Sequence, residues 1–311
     1  MGKTAFLFPG QGSQKVGMAK DLAEDYQIVE DTFEEAKKVL EPEVDIKELA
    51  FFGPEDELTE TENTQPAILT ASVAILRLLK EEGIEFDFVA GHSLGEYSAL
   101  VAAGVVDFAS ALKLVRKRGL LMRDADPKGE GTMAAIIGLD DQKVEKICQE
   151  AALDEVVQVA NYNCPGQVVI TGHNHLVEKA CEVLREGGAR RVIPLEVSAP
   201  FHSPLMQPAA EKLAEVIADI EFAEAKFPVV ANINAEEVTQ PEEIKEALLK
   251  QVYSPVLWEK SVHTMMDAGC ETFVEVGTGD TLSGFLRRIS RQVNNYRCEK
   301  PEEIEEVAPQ L

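Results

Sequence analysis

The sequence predicts an α/β protein with a mainly parallel sheet and a smaller inserted unit. Three observations predict this class. Apolar runs of strand length alternate with helical patterns. A serine lies in a G-x-S-x-G pattern between a predicted strand and a predicted helix, and a central stretch has the element order of a small separate sheet. The length of 311 residues allows one large domain or two.

Strands and helices alternate before the central stretch. Residues 5–8 form an apolar run that predicts a buried first strand. Residues 65–82 have apolar side chains at helical spacing and predict a helix. Residues 86–90 predict a second short strand, residues 91–95 a sharp turn, and residues 96–103 a further helix.

The central stretch, residues 128–197, is predicted to be a self-contained subdomain. Its elements follow the order β-α-β-β-α-β, which is the ferredoxin-like split unit. The predicted strands are 132–138, 156–161, 167–171 and 190–197, and the predicted helices are 140–151 and 173–187. The glycine-rich residues 128–131 supply a hinge before it.

Residues 1–127 and 198–311 are predicted to form one large domain, because the chain returns to the same alternation after the insert. The predicted helices there are 208–220, one ending at 251, and 256–268, and the predicted strands are 229–232 and 272–276. The acidic tail, residues 299–311, is broken by prolines and is expected to fray.

Charge and composition exclude several classes of function. The formal net charge of −25 argues against a nucleic-acid ligand, because the field would repel a phosphate backbone. No run approaches the roughly 18 apolar residues of a membrane span, and the first residues do not form a signal peptide. The five cysteines include no C-x-x-C pair, so neither a disulfide framework nor a metal site is indicated. We expect a cytoplasmic protein.

Ser93 is the candidate nucleophile. It lies in Gly91-His92-Ser93-Leu94-Gly95, which fits the nucleophile elbow of α/β hydrolases, so the large domain is predicted to be α/β-hydrolase-like. Glycines flank the serine because a side chain at either place would collide with a neighbouring element. The alternative is a tight turn whose serine only caps the following helix.

His202 is the best candidate for the base among five histidines. It lies where the chain leaves the insert, in a loop stiffened by Pro200 and Pro204. His92 precedes the serine and is expected to point away from it, and the remaining histidines are expected on helices: His173, His175 and His263. No acid is marked as a third member of a triad, so a backbone carbonyl could orient the histidine instead.

Seven motifs in this sequence together resemble the malonyl-CoA:acyl-carrier-protein transacylases. They occur in the family's order and span nearly the whole chain. The motifs are Phe8-Pro9-Gly10-Gln11-Gly12-Ser13-Gln14, Thr64-Gln65-Pro66-Ala67, Gly91-His92-Ser93-Leu94-Gly95-Glu96, Arg118-Gly119, Asn161-Tyr162-Asn163-Cys164-Pro165-Gly166-Gln167, Pro200-Phe201-His202 and Val274-Glu275-Val276-Gly277.

The resemblance implies a division of catalytic roles. Ser93 would carry the malonyl group as an ester, and His202 would be the base. The main-chain carbonyl of Gln251 would orient His202, and the backbone amides of Gln11 and Leu94 would form the oxyanion hole. Two preorganised donors suit a tetrahedral oxyanion, since the loss of one typically lowers the rate by ~10²–10³.

The resemblance also implies how the acyl group is recognised. Arg118 would hold the free carboxylate of the malonyl group, because a planar guanidinium can bind a carboxylate through two hydrogen bonds. Phe201 resembles the pattern associated with malonyl over methylmalonyl selection. The other implied pocket residues are Gln65 and His92 in the lining, and Asn161 and Asn163 at the mouth.

The implied substrates are malonyl-CoA and an acyl carrier protein, with no cofactor or metal, in a monomer that binds neither nucleic acid nor membrane. An acidic carrier protein would need a local basic patch on this acidic chain. Two runs could supply it: Arg116-Lys117-Arg118 with Arg123 and Lys128, and Arg287-Arg288 with Arg291.

Some alternatives stay open at this point. The pathway could be fatty acid or polyketide biosynthesis, and a serine thioesterase or an inactive docking domain would share several of these features. The sequence departs from the family at Thr278, where proline is common, and at Asp280, where a basic residue is frequent. Both departures concern the local loop and its contacts near the thioester.

Overall fold

Two sheets organise the protein, which is described here from a computed structural model over residues 2–152, 154–197 and 199–310. The strands are β1 (Lys3–Phe8), β2 (Phe88–Gly91), β3 (Gly131–Ile137), β4 (Val157–Cys164), β5 (Gln167–His173), β6 (Arg191–Pro194), β7 (Val229–Val230), β8 (Glu237–Val238), β9 (Cys270–Val276) and β10 (Asn294–Cys298). Ser198, where the second segment of the large domain is predicted to begin, lies outside the described residues, as do Met1 and Leu311.

Fourteen α-helices occur in the described part of the chain. They are α1 (Lys20–Asp25), α2 (Gln27–Leu40), α3 (Ile46–Phe52), α4 (Glu55–Thr59), α5 (Thr61–Glu81), α6 (Gly95–Ala102), α7 (Phe108–Arg123), α8 (Asp141–Ala152), α9 (Asn174–Glu186), α10 (Gln207–Ala218), α11 (Pro241–Gln251), α12 (Trp258–Asp267), α13 (Thr281–Ile289) and α14 (Pro301–Val307). Within the same described ranges, no helix is both long enough and apolar enough to cross a membrane.

The larger sheet has six strands in the order β10-β9-β1-β2-β7-β8, and its pairs are parallel except for β7 with β8. Residues 5–8 of its central strand, β1, are apolar and buried because both faces of the sheet are covered there. Phe6 and Phe8 pack on the face that holds α2, α5 and α7, whereas Leu7 packs on the opposite face with α12 and α13. The predicted mixed α/β class with a parallel-rich sheet is confirmed.

The second sheet has four antiparallel strands in the order β4-β5-β3-β6. Its side chains alternate between two environments, as expected for a strand with both faces covered. Ala134 and Ile136 pack against α8 and α9, whereas Met133 and Val169 face the core of the larger part. One face of the second sheet therefore packs into the core of the part that contains the six-stranded sheet.

Helix α5 begins at Thr61, four residues before the predicted start, although Pro66 lies inside it. Proline lacks the N–H that would bond the carbonyl four residues earlier. That carbonyl, of Glu62, instead accepts a hydrogen bond from Nη1 of Arg116 at 2.8 Å. The break in the helix ladder is thus used to attach α7 to α5.

The tail does not fray over the described residues. Helix α14 occupies Pro301–Val307, and Ile304 and Val307 are buried in the main core. Lys15, near the start of the chain, also forms an ion pair with Glu299. The expectation of a frayed end is wrong here, because burial of Ile304 and Val307 holds α14 against the core. In the sequence, this apolar pair is hidden among acidic residues.

The close crossing of α5 and α7 depends on Gly119. A Cβ atom at this position would lie 2.6 Å from the Cα of Glu62, a backbone contact that cannot relax cheaply. We expect Gly119→Ala to lower the free energy of unfolding by about 1–3 kcal/mol through overpacking. Chemical denaturation measures this change.

A matched control is Gly284→Ala, which also lies inside a helix. There the nearest atom to an added Cβ is 4.0 Å away, so the better helix propensity of alanine should raise the stability by about 1 kcal/mol. Equal stability of Gly119→Ala and the unchanged chain would contradict the close crossing.

Candidate active site

Ser93 lies in a sharp turn between β2 and α6, with a left-handed backbone at φ 51°. A Cβ on Gly91 would lie 1.9 Å from the backbone of Gly95, and a Cβ on Gly95 would lie 2.0 Å from the carbonyl oxygen of Phe8. Both glycines are therefore required by close backbone contacts, as the sequence indicated. The turn holds the serine hydroxyl at the carboxyl end of the parallel strands.

The Oγ of Ser93 lies 2.8 Å from Nε2 of His202. On the other side of the ring, Nδ1 of His202 lies 2.8 Å from the main-chain carbonyl oxygen of Gln251. A carbonyl can only accept, so Nδ1 carries the ring proton and Nε2 is left to accept one. Burial, followed by the neighbouring Arg118, lowers the pKa of His202 to about 3. The imidazole is therefore neutral at pH 7.

Asn232 fixes the backbone of the serine turn, and sequence reasoning missed it. Its Oδ1 accepts from the amide of Ser93 at 2.7 Å, and its Nδ2 donates to the carbonyl of Gly91 at 2.7 Å. A lone asparagine after a short strand gives no signal of this role, since its partners lie 139 and 141 residues away. The Ser93 amide is thereby occupied, whereas the next amide, of Leu94, remains available.

The amides of Gln11 and Leu94 have no acceptor among the residues that the structure describes. The loop that carries Gln11 passes close to the serine turn because Gly10 has no side chain: a Cβ there would lie 2.3 Å from the carbonyl oxygen of His92. The Oγ of Ser13 donates to the carbonyl of Gly10 at 2.8 Å and stiffens the loop. Two unpaired donors therefore border the same space as Ser93.

Arg118 points into the site from α7 and is only 1% exposed. Its Nη1 donates to Oε1 of Gln65 and its Nη2 to Oε1 of Gln251, each at 2.9 Å. Its Nη2 also lies 3.4 Å from the Oγ of Ser93, and its guanidinium carbon lies 5.3 Å from the ring centre of Tyr97. No carboxylate forms an ion pair with it in the described parts of the chain. Nη1 therefore has one N–H without an acceptor in the described residues, Nη2 has only the long contact to Ser93 besides Gln251, and the buried Nε has no partner there.

These groups border one cavity of about 210 Å³ between the two sheets. Ser93, His202 and Arg118 all open onto it. The second sheet and the segment after it contribute Met133, Asn161, Asn163, Val169, Leu195 and Val197. The site is thus built from both parts of the fold, and its walls are mostly apolar around a few polar groups.

The remaining predicted pocket residues divide into two groups. His92, Asn163 and Phe201 line the cavity, and Nε2 of His92 lies 2.8 Å from Oδ1 of Asn163. Gln65 is not among the residues that border this cavity, and its expected place in the pocket lining stays a prediction. Its side chain is buried behind Arg118 and supports the guanidinium.

The first basic run does not form one exposed surface. Arg118 is buried in the cavity, and Arg116 bonds to the carbonyl of Glu62 and to the side chain of Asn63. The second run lies on and after α13, where Thr281, Leu282 and Phe285 border the cavity. This run therefore lies on, and just after, a helix that borders the cavity.

The two departures from the family pattern lie next to this helix. Thr278 is buried and lies 3.4 Å from the Oγ of Ser13. Asp280 is exposed, with its carboxylate 4.0 Å from Arg287 and 3.8 Å from Arg297. The acidic side chain thus partly offsets the positive charge of the second basic run.

In a comparison with protein families, the acyl transferase domain matches residues 5–309. The malonyl CoA-acyl carrier protein transacylase of Bacillus subtilis (strain 168) is 49% identical over 306 residues, or 98% of this chain and 96% of that protein. A crystal structure of an acyl carrier protein S-malonyltransferase from Vibrio cholerae has a TM-score of 0.95 at 47% identity, and covers 98% of this chain and 99% of that one.

A second solved structure shows a type II PKS acyl-carrier protein in complex with its malonyl-transacylase. It has a TM-score of 0.96 at 44% identity, and covers 99% of this chain and 100% of that one. Because similarity of this degree extends over nearly the full length, the chain belongs to the acyl transferase domain family and, within it, to the malonyl-CoA:acyl-carrier-protein transacylases.

Proposed function

We propose that this chain transfers a malonyl group from malonyl-CoA to the phosphopantetheine thiol of an acyl carrier protein, through an ester on Ser93, in fatty acid biosynthesis. One observation carries the proposal: the buried Arg118, which has no carboxylate partner in the described residues, opens onto the same cavity as the Ser93–His202 pair. The relatives named above support the choice of substrate and acceptor. A polyketide pathway is the alternative, since one similar structure serves that pathway.

The first half-reaction loads the malonyl group. Nε2 of His202 takes the proton of Ser93 while Oγ attacks the thioester carbon of malonyl-CoA. The negative charge on the tetrahedral oxygen is stabilised by the amides of Gln11 and Leu94. The carbon–sulfur bond then breaks, and coenzyme A leaves with the proton held by His202.

The second half-reaction reverses these roles. The carrier-protein thiol gives its proton to Nε2 of His202 and attacks the ester carbon. The bond to the Oγ of Ser93 breaks, and Ser93 recovers its proton from His202. Gln251 keeps the imidazole aligned through both steps, because its main-chain carbonyl accepts from Nδ1 at 2.8 Å.

In this scheme Arg118 selects malonyl over neutral acyl groups. The free carboxylate of malonyl would receive hydrogen bonds from both terminal nitrogens, and a buried charge-assisted pair is stronger than a neutral hydrogen bond. An acetyl group would leave the guanidinium without an anion, which penalises neutral acyl groups. Asn161, Asn163, His92 and Phe201 would shape the remaining wall.

The domain organisation is part of the proposal. We infer a large α/β-hydrolase-like domain over 1–127 and 198–311, and a ferredoxin-like subdomain over 128–197. Support comes from the strand–Ser93–helix turn of the larger sheet and from the β4-β5-β3-β6 order with α8 and α9 on one face. A cytoplasmic location fits the acceptor, and the five cysteines are all buried free thiols.

Ser93→Ala tests the ester directly. Brief exposure of the unchanged chain to malonyl-CoA should add one malonyl group to its intact mass, and the variant should show no added mass because the attacking oxygen is gone. Circular dichroism serves as the folding control. Rapid coenzyme A release that is independent of carrier protein, without a mass adduct, would instead favour a thioesterase.

Arg118→Ala tests the acyl selectivity. We expect malonyl loading to fall by about two orders of magnitude, since a charge-assisted pair is lost in a mostly apolar cavity. Acetyl loading should fall less, so the malonyl-to-acetyl ratio of kcat/KM should drop. An unchanged ratio would remove Arg118 from its proposed role.

Charge reversal tests whether the second basic run, Arg287-Arg288 with Arg291, is the docking surface for the carrier protein. The double change Arg287→Glu with Arg291→Glu should raise KM for the acidic carrier protein about tenfold at low salt and leave KM for malonyl-CoA unchanged. The effect should shrink at high ionic strength. Arg288 is spared because it bonds to Gln167 and Pro165 at 2.6 and 2.7 Å.

The matched control carries the same change in net charge on α8 and α9. Lys146→Glu with Lys179→Glu alters two exposed lysines that do not border the cavity. An equal rise in KM for the carrier protein with this control would show that only the global charge matters, and would exclude a local docking surface.

A further inference from the structure

A buried carboxylate, Glu96, lies one side chain away from Arg118 and has no part in the reaction described above. It follows the serine turn on α6 and is only 2% exposed. Its Oε2 accepts from Nε2 of Gln251 at 2.8 Å and from the main-chain amide of Asn232 at 3.2 Å. A buried carboxylate is costly unless it is paired or hydrogen-bonded. The burial of the Glu96 carboxylate therefore needs an explanation other than packing.

The side-chain amide of Gln251 joins Glu96 to Arg118. Its nitrogen donates to Glu96 and, at 2.9 Å, to the carbonyl of Ser93, while its oxygen accepts from Nη2 of Arg118 at 2.9 Å. An ionised carboxylate only accepts and a guanidinium only donates, so this amide has one favourable orientation between them. The negative and positive groups are thus coupled without touching.

The separation leaves the guanidinium free for a ligand. A carboxylate in direct contact with Arg118 would occupy the N–H groups that an acyl carboxylate needs. With an amide between them, the charge of Glu96 still acts at short range in a buried site, where screening by water is weak. The resting site is therefore balanced in charge while its hydrogen-bond donors stay available.

We propose that Glu96 is the resident counter-charge of Arg118, held one amide away, and that the carboxylate of an incoming acyl group takes over this role. The inference rests on the proposed function and deepens it. Two carboxylates then share one guanidinium, so the arrival of the second favours protonation of the first. Where Glu96 is ionised before loading, loading of malonyl takes up a proton from solvent at Glu96, and Glu96 sets how strongly the site prefers a charged acyl group as the pH changes.

The surroundings of Glu96 are suited to this exchange. Burial raises its pKa to about 7, and hydrogen bonds from Gln251 and Asn232, together with the charge of Arg118, oppose the rise. The charged or titratable groups that face it are Arg118 on α7 and its neighbour Tyr97 on α6, whereas the groups from α11 and from the segment after β7 are the neutral Gln251 and Asn232. Tyr97 stays neutral because burial raises its pKa to about 12.

The direction in which malonyl loading changes with pH follows from the ionisation of Glu96. Below pH 7 Glu96 is protonated, the positive charge of Arg118 is unopposed, and malonyl loads readily. Above pH 7 Glu96 is ionised, and loading must either protonate it or place two negative charges near one cation. Malonyl loading should therefore become less favourable as the pH rises through 7, in addition to any titration of His202 or of the substrate.

Glu96→Gln tests this coupling. The amide keeps the shape and an acceptor for Gln251 but removes the charge and the titration. The rate constant for malonyl loading on Ser93, measured by intact mass at limiting malonyl-CoA, is compared between the variant and the unchanged chain from pH 6 to pH 8.5. We expect the unchanged chain to lose about tenfold relative to the variant over this range, since coupling between sites is typically 5–150-fold.

Two controls make the comparison specific. Glu62→Gln removes another buried carboxylate, one that pairs with Arg123 rather than with the site, and its loading rate relative to the unchanged chain should not vary with pH. With acetyl-CoA, which has no free carboxylate, the ratio between Glu96→Gln and the unchanged chain should also be independent of pH. The titrations of His202 and of coenzyme A cancel in these ratios.

The outcomes separate the inference from the proposed function. If the unchanged chain forms no malonyl ester on Ser93, the proposed function fails and this inference fails with it. If the ester forms but Glu96→Gln follows the pH profile of the unchanged chain, or lowers malonyl and acetyl loading equally, only the counter-charge role is overturned. Should the variant not fold, proton uptake on loading of the unchanged chain decides, measured with an indicator dye in weak buffer at pH 8.5, where Glu96 is ionised before loading. About one proton more with malonyl-CoA than with acetyl-CoA supports the role, and an equal count overturns it.

Discussion

The guanidinium of Arg118 is a cation buried without an ion-pair partner in the described part of the chain, and the design of the site follows from this constraint. Removing a charge from water is expensive unless hydrogen bonds replace its hydration. Here two side-chain amides, of Gln65 and Gln251, and the face of Tyr97 supply the replacement. These partners are neutral, so the attraction for an anion is retained.

The packing of two helices makes this arrangement possible. Arg118 reaches Gln65 only because α7 crosses α5 at the contact of Gly119 with the backbone of Glu62. Pro66 contributes to the same crossing by freeing a carbonyl that Arg116 then binds. The motif residues around Gln65 and Arg118 thus form one contact between α5 and α7, and this contact positions the guanidinium. A change in either helix would move the guanidinium relative to Ser93.

The sequence predicts the parts of the site that have a local signature. Ser93 stands between glycines that the backbone geometry requires, and the mixed α/β class follows from alternating apolar runs. Asn232 and the role of Glu96 could not be predicted, because their partners come from distant parts of the chain and no local pattern marks them. The same reason explains Gln65: a glutamine in a motif indicates a polar contact, but only the helix crossing decides that this contact is with Arg118.

Gln251 shows why no triad acid is evident in the sequence. Its main-chain carbonyl orients His202, and any residue at this position would offer the same oxygen. The orienting contact therefore cannot be recognised from the type of residue at position 251. What the sequence does specify there is the side chain, whose amide donates to Glu96 and Ser93 and accepts from Arg118. One residue thus aligns the base with its backbone and the acyl-binding cation with its side chain, so a shift of α11 would disturb proton transfer and acyl recognition together.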